Sequence, residues 1–103
     1  MEQPKQDAFK DPKAKGKALS MPDAIAKARL AMGAITSAPV DAVRSCTRGE
    51  NDVWTATVEV IESPARLGDN DLISAYEMKI DGGGDLLEFQ RVGRYHREDA
   101  AGA

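Results

Sequence analysis

Tyr76-Glu77-Met78-Lys79-Ile80-Asp81-Gly82-Gly83-Gly84-Asp85-Leu86-Leu87-Glu88-Phe89-Gln90-Arg91-Val92-Gly93-Arg94-Tyr95-His96-Arg97 reads as a strand, a glycine turn and a second strand. Apolar and polar residues alternate around a turn that needs positive φ angles, which glycine adopts without steric cost. The register can be tested on side chains. With Ile80 facing Leu87, Met78 faces Phe89, Lys79 faces Glu88 and Glu77 faces Gln90. Apolar then meets apolar and lysine meets glutamate, so the pairing is self-consistent. The same pairing sets Arg91 beside Tyr76 on the core side, and Gly93 reads as a bulge that turns the strand's end outward.

Working towards the N-terminus, residues 71–81 form the first strand of that hairpin, preceded by a loop over 63–70 with Pro64 and Gly68. Residues 53–62 give the clearest strand. Trp54, Ala56, Val58 and Val60 share one face, and Thr55, Thr57 and Glu59 the other. A turn at Gly49-Glu50-Asn51-Asp52 separates it from a weakly patterned strand over 40–47. Ahead of the strands, Ser20-Met21-Pro22-Asp23 is a helix start: Ser20 caps, Asp23 completes a capping-box variant, and proline is tolerated in the first turn. At 100° per residue Met21, Ile25, Ala28, Met32 and Ile35 make the core stripe, with Leu30 opposite and exposed. Pro39 stops the helix near Thr36. The expected fold is α+β: one N-terminal helix packed on a four-stranded antiparallel meander sheet, with a polar face opposite.

The 103 residues hold one domain, expected over 20–98, with unstructured segments at 1–19 and 99–103. The first of these has little apolar content and no periodicity to offset its ordering entropy. It carries five lysines against Glu2, Asp7 and Asp11, a balance of +2 that leaves −5 on the rest of a chain whose net charge is −3. Duplex-binding domains show the opposite balance, so nucleic acid is not the expected partner. No run approaches the length of a membrane span, and the polar N-terminus does not read as a secretory signal. A single cysteine excludes an internal disulfide and fits a reducing compartment.

Chemistry is hard to find along the chain. Nucleophilic catalysis needs a nucleophile with a base in reach. Cys46 sits in an expected strand and His96, the one histidine, in the arginine-rich ending, with nothing to bring them together. Gly82-Gly83-Gly84 joins two strands and is not followed by the helix start and Lys-Ser/Thr of a phosphate cradle. Asp69-Asn70-Asp71 lacks calcium-loop spacing. Glu59, Glu62, Glu77 and Glu88 could converge on the outer sheet face, but Lys79 and Arg94 among them suit a solvated mixed-charge surface better than an acid–base pair. No catalytic, metal or cofactor site is expected. The arginines at intervals of three around a tyrosine read instead as a recognition surface, with Arg91, Arg94, Tyr95 and Arg97 as partner-binding candidates. The plainer alternative is that these arginines neutralise Glu59, Glu77 and Glu88 across the sheet.

The order of these residues resembles the gas vesicle accessory protein GvpO family. The match rests on Trp54-x-Ala56-x-Val58-Glu59-Val60-x-Glu62, Arg66, Asp71-x-Ile73-x-x-Tyr76-Glu77-Met78-x-Ile80-Asp81, the glycine turn, Leu86, Phe89-x-Arg91 and Arg94-Tyr95-x-Arg97. It is close over 54–97 and looser from 22. Two positions depart from the pattern: Gly68 stands where a proline is expected after Arg66, and Phe89 where a tyrosine is expected. The resemblance implies a non-enzymatic cytoplasmic protein needed for gas vesicle assembly, with no cofactor. The partners it implies are other gas vesicle proteins, namely the GvpN-type AAA ATPase and the shell protein or its assembly complex. Two rivals remain from the residues themselves. The helix-on-meander order is also similar to PepSY-type binding or inhibitory modules, and the Arg91–Arg97 stripe could serve a nucleic-acid-binding regulator.

Overall fold

The computed structural model describes residues 19–102, so the expectation for the tail at 1–18 lies outside the described residues. Helix α1 spans Met21–Ile35 and is followed by strands β1 (Val40–Arg48), β2 (Trp54–Ser63), β3 (Leu72–Ile80) and β4 (Leu86–His96). A short 3-10 turn at Glu50–Asp52 joins β1 to β2, and a short helix α2 (Arg97–Gly102) follows β4. The strands form one antiparallel sheet in the order β1-β2-β3-β4, a meander with α1 on one face. Residues 99–102, read from sequence as beyond the domain, are part of α2.

Local chemistry accounts for the helix ends. The Ser20 hydroxyl accepts from the Asp23 backbone N–H at 3.3 Å, satisfying one of the donors a helix start leaves free, and the Thr36 N–H closes the last turn on the Met32 carbonyl at 3.0 Å. The buried stripe is rotated from the expected one. Ala24, Ala28 and Met32 are fully buried, whereas Met21 is 48% exposed and Ile25 half-buried. Small side chains, Ala24 and Ala28, fill two of the three buried positions, and Ile35 packs against the core. Leu30 points to solvent as expected.

Trp54, Ala56, Val58 and Val60 of β2 meet this stripe together with Met78 and Ile80 of β3, forming the core. Only burial of that row on the face under α1 reconciles the alternation of β2 with its neighbours. The weak pattern of β1 has a cause: register shifts fall between Val40 and Ala42 and between Val43 and Ser45, so Asp41 and Arg44 are extra residues without a β2 partner. In the last hairpin Met78↔Phe89, Lys79↔Glu88, Glu77↔Gln90 and Tyr76↔Arg91 pair as expected. Ile80 pairs with Leu86, not Leu87, because a bulge displaces Leu87 beside the turn. A second shift skips Val92 next to Gly93, the position read as a bulge.

The turn itself is held by Asp81, whose carboxylate accepts from the N–H groups of Gly83 at 2.9 Å and Asp85 at 3.0 Å. Gly84 takes φ +97, and the stem of Lys27 from α1 lies against it. The face away from α1 is polar near this turn, with Thr55, Thr57, Glu77 and Lys79. Towards the other end it closes over Ile73, Ala75 and Glu59, all buried. That burial departs from the uniformly polar face expected.

Candidate functional site

The far end of β4 gathers the four candidate residues, but alternation sends them to two sides of the sheet. Arg94 pairs with Ser74 and Arg91 with Tyr76, on the side of α1. Tyr95 pairs with Ile73, on the opposite side. Arg91 and Arg94 then share one carboxylate, Tyr95 meets another, and Arg97 meets two.

Arg94 makes a two-pronged contact with Glu62, Nε to Oε1 at 3.0 Å and Nη2 to Oε2 at 2.8 Å, the geometry in which a guanidinium matches a carboxylate best. Ser74 donates its hydroxyl to the same Glu62 at 2.6 Å. The hydrogen bond from Arg94, then that from Ser74, holds the Glu62 carboxyl down at about 2, and Glu62 in turn raises the Arg94 guanidinium. Arg91 reaches Glu62 only at 3.9 Å, with its side chain half exposed, so it is the least engaged of the four.

Tyr95 donates its hydroxyl to Glu59, a carboxylate that is only 6% exposed, and this bond with burial raises the phenol above its ordinary value. Arg44, the bulged residue of β1, reaches Glu59 from the other side at 3.4 Å. A buried carboxylate must be paired to be tolerated, and β4 and β1 supply its donors from opposite edges of the sheet.

Arg97 is the most heavily tied. Its guanidinium donates to Asp41 of β1 at 3.1 and 3.2 Å and to Asp71 at 2.9 and 3.2 Å, and these bonds raise its own value. Its backbone N–H continues the ladder to the Asp71 carbonyl at 2.8 Å. Asp71 also accepts from the Ala65 N–H at 2.7 Å, and this bond, then that from Arg97, lowers its carboxyl. One aspartate therefore fixes the loop before β3 and the exit from β4 together.

The carboxylates that the arginines meet are thus Glu62, Asp41 and Asp71, not Glu77 or Glu88. Lys79 lies opposite Glu88, and Glu77 opposite Gln90. The convergence of Glu59, Glu62, Glu77 and Glu88 on one outer face does not occur, because Glu62 turns to the side of α1 with Arg94. Asp71 was legible in principle: once a bulge at Gly93 is admitted, the register that pairs Leu72 with His96 brings Asp71 next to Arg97. Asp41 was not, since no local pattern relates β1 to the end of β4.

Beyond these ion pairs, β4 is an edge strand whose outer side is unpaired among the described residues, and Leu87, Phe89 and Val92 on it are 55%, 47% and 52% exposed. Phe89 packs tilted against Tyr76 with ring centroids 6.3 Å apart. Cys46, half-buried in β1 with its thiol pushed up by burial, and His96, at the end of β4, belong to opposite edges of the sheet. Among the described residues no group of three His, Cys, Asp or Glu side chains is arranged to hold a metal ion, and no helix is long and apolar enough to cross a membrane.

The chain is 41% identical over 64 residues to gas vesicle protein O of Streptomyces sp. (strain CB03234), covering 61% of this chain and 48% of that protein. It is 39% identical over 46 residues to gas vesicle protein O1 of Halobacterium salinarum (strain ATCC 700922 / JCM 11081 / NRC-1), covering 45% of this chain and 39% of that protein. The matched segments thus span half or less of the length of these curated relatives. No solved structure matches, so the likeness to PepSY modules rests on element order alone. Residues 7–101 match the family described as gas vesicle synthesis protein GvpO, and the chain belongs to that family.

Proposed function

We propose that this chain is a non-enzymatic accessory factor in gas vesicle assembly that docks through β4 onto another gas vesicle protein in the cytoplasm. Arg91, Arg94, Tyr95 and Arg97 form or border the docking surface. The observation that carries the reading is the exposed surface of the edge strand β4, where Leu87, Phe89 and Val92 stand among Arg91 and Arg94. Arginine beside exposed aromatic and aliphatic side chains is the composition of binding hot spots. Arg91, the least engaged of the four, is the contact residue. Arg94 contributes an exposed flank, while Tyr95 and Arg97 border the surface by pinning the strand that presents it. The GvpN-type ATPase, the shell protein and its assembly complex are the candidate partners. The internal engagement of Arg94 and Arg97 counts against a nucleic-acid role, since those guanidiniums are already neutralised.

Reversal of Arg91 is the clean test, because reversing Arg94 or Arg97 would also strip a carboxylate of its partner. Arg91→Glu is expected to melt within a few degrees of wild type while gas vesicle yield and recovery of vesicle proteins in pull-downs fall together. Normal vesicle yield from the folded variant would sink the proposal.

A further inference from the structure

Four strands at the usual spacing of about 4.8 Å make a sheet roughly twice as wide as the ~10 Å body of one helix. Here α1 packs mainly on β1 and β2, less on β3, and leaves β4 largely uncovered. The bare strip is floored by Tyr76 of β3 and by Phe89, Arg91 and Arg94 of β4, all on the side of α1. Its turn end is closed by Lys27 lying over Gly84, and its far end by the Glu62–Arg94 pair. A helix centred over β3 and β4 would lie about two strand spacings from α1, close to the 8–10 Å at which helices pack.

Taking the docking role of β4 as its starting point, we propose that this strip seats an acidic amphipathic helix of a partner protein. From Phe89 to Arg94, which pair with Met78 and Ser74, the strip runs about 14 Å, which fits roughly two and a half helical turns. The Phe89 ring, 47% exposed against Tyr76, receives the apolar side of such a helix. Two arginines face one carboxylate, Glu62, and that carboxylate is already held in two prongs by Arg94. Arg91, half exposed and 3.9 Å from that shared carboxylate, is left to pair with an acidic side chain on the incoming helix.

Charge argues against the other occupants. The chain's own first 17 residues carry five lysines against three acids. The exposed face of α1 from a second copy presents Lys27 and Arg29 against Asp23. An added strand on the outer edge of β4 would meet bulges at Leu87 and Val92, which interrupt a regular ladder.

The test is photocrosslinking in cells forming gas vesicles, with the full chain carrying benzoylphenylalanine at position 89 or at position 90, on the opposite face of β4. Position 89 is expected to capture a partner peptide with acidic and apolar residues at helical spacing, at least ~tenfold more than position 90. Arg91→Glu should cut that yield ~tenfold and Arg91→Lys should retain it. Capture of residues 1–18, of a second copy, or of a basic or non-helical segment would overturn the proposal, as would a yield indifferent to Arg91→Glu. Silence at 89 with a product at 90 would overturn the seat but leave docking through β4 standing. Silence at both positions would overturn both.

Discussion

Tyr95 and Glu59 illustrate how a single residue can be recognised in sequence while its task is not. A carboxylate at 6% exposure needs donors, and Glu59 has the Tyr95 hydroxyl and the Arg44 guanidinium. Removing the hydroxyl leaves a buried acceptor short of one partner, which costs ~1–3 kcal/mol. Tyr95→Phe is therefore expected to lose about that much in chemical denaturation, with the ring's packing kept. The phenol's value is raised above its ordinary 10.0, so the bond's contribution is fully present below pH 10 and disappears as pH rises through the raised value. Wild type and Tyr95→Phe should converge on the alkaline side. Curves that stay parallel as pH rises through the raised value would mean the hydroxyl does not hold Glu59. The Arg94-Tyr95-x-Arg97 ending stood out in sequence because of its charge and spacing. Its carboxylates did not, since Glu59, Glu62 and Asp41 lie 32 to 56 positions away along the chain.

At the scale of elements, legibility followed regularity. Strand β2 and the paired stretch of β3 and β4 were readable because strict alternation survives wherever no residue is inserted. Strand β1 was faint because Asp41 and Arg44 interrupt its pattern, each shifting every later side chain to the other face. The helix was found by its cap and proline, but its buried stripe turned by about 20° from the expected one, since only packing against the sheet chooses among adjacent apolar faces. The glycine turn carries a prediction of its own. Gly84 sits at φ +97 with the Lys27 stem beside it, whereas Gly83 has ordinary φ and only the Asp81 carboxylate nearby, at 3.4 Å. Gly84→Ala should cost about 1–2 kcal/mol in thermal or urea melts, and Gly83→Ala less. Equal effects would show that the turn does not depend on the positive φ.

For the molecule as a whole, the ion pairs around the end of β4 tie its stability to acid pH. Glu62 is lowered to about 2 from an ordinary 4.5, and Asp71 is lowered from 3.8. A depressed carboxyl stabilises the fold above its unfolded value and loses that contribution as pH falls through the folded value. The melting temperature should therefore hold near neutrality and drop between about pH 5 and pH 2. Glu62→Gln should start lower at neutral pH and fall less steeply over that range. An acid limb identical to wild type would remove Glu62 from the account. By itself the sequence determined what is local: where the helix is capped, which strands alternate, where glycine must turn the chain, and the family to which their order belongs. Which charges meet was decided only by the tertiary structure, because ion pairing depends on which strand ends the twisted sheet brings together. The same holds for the uncovered strip beside α1. A helix shows in its sequence that it has an apolar face, but how much of a sheet it leaves bare is a matter of where it comes to rest.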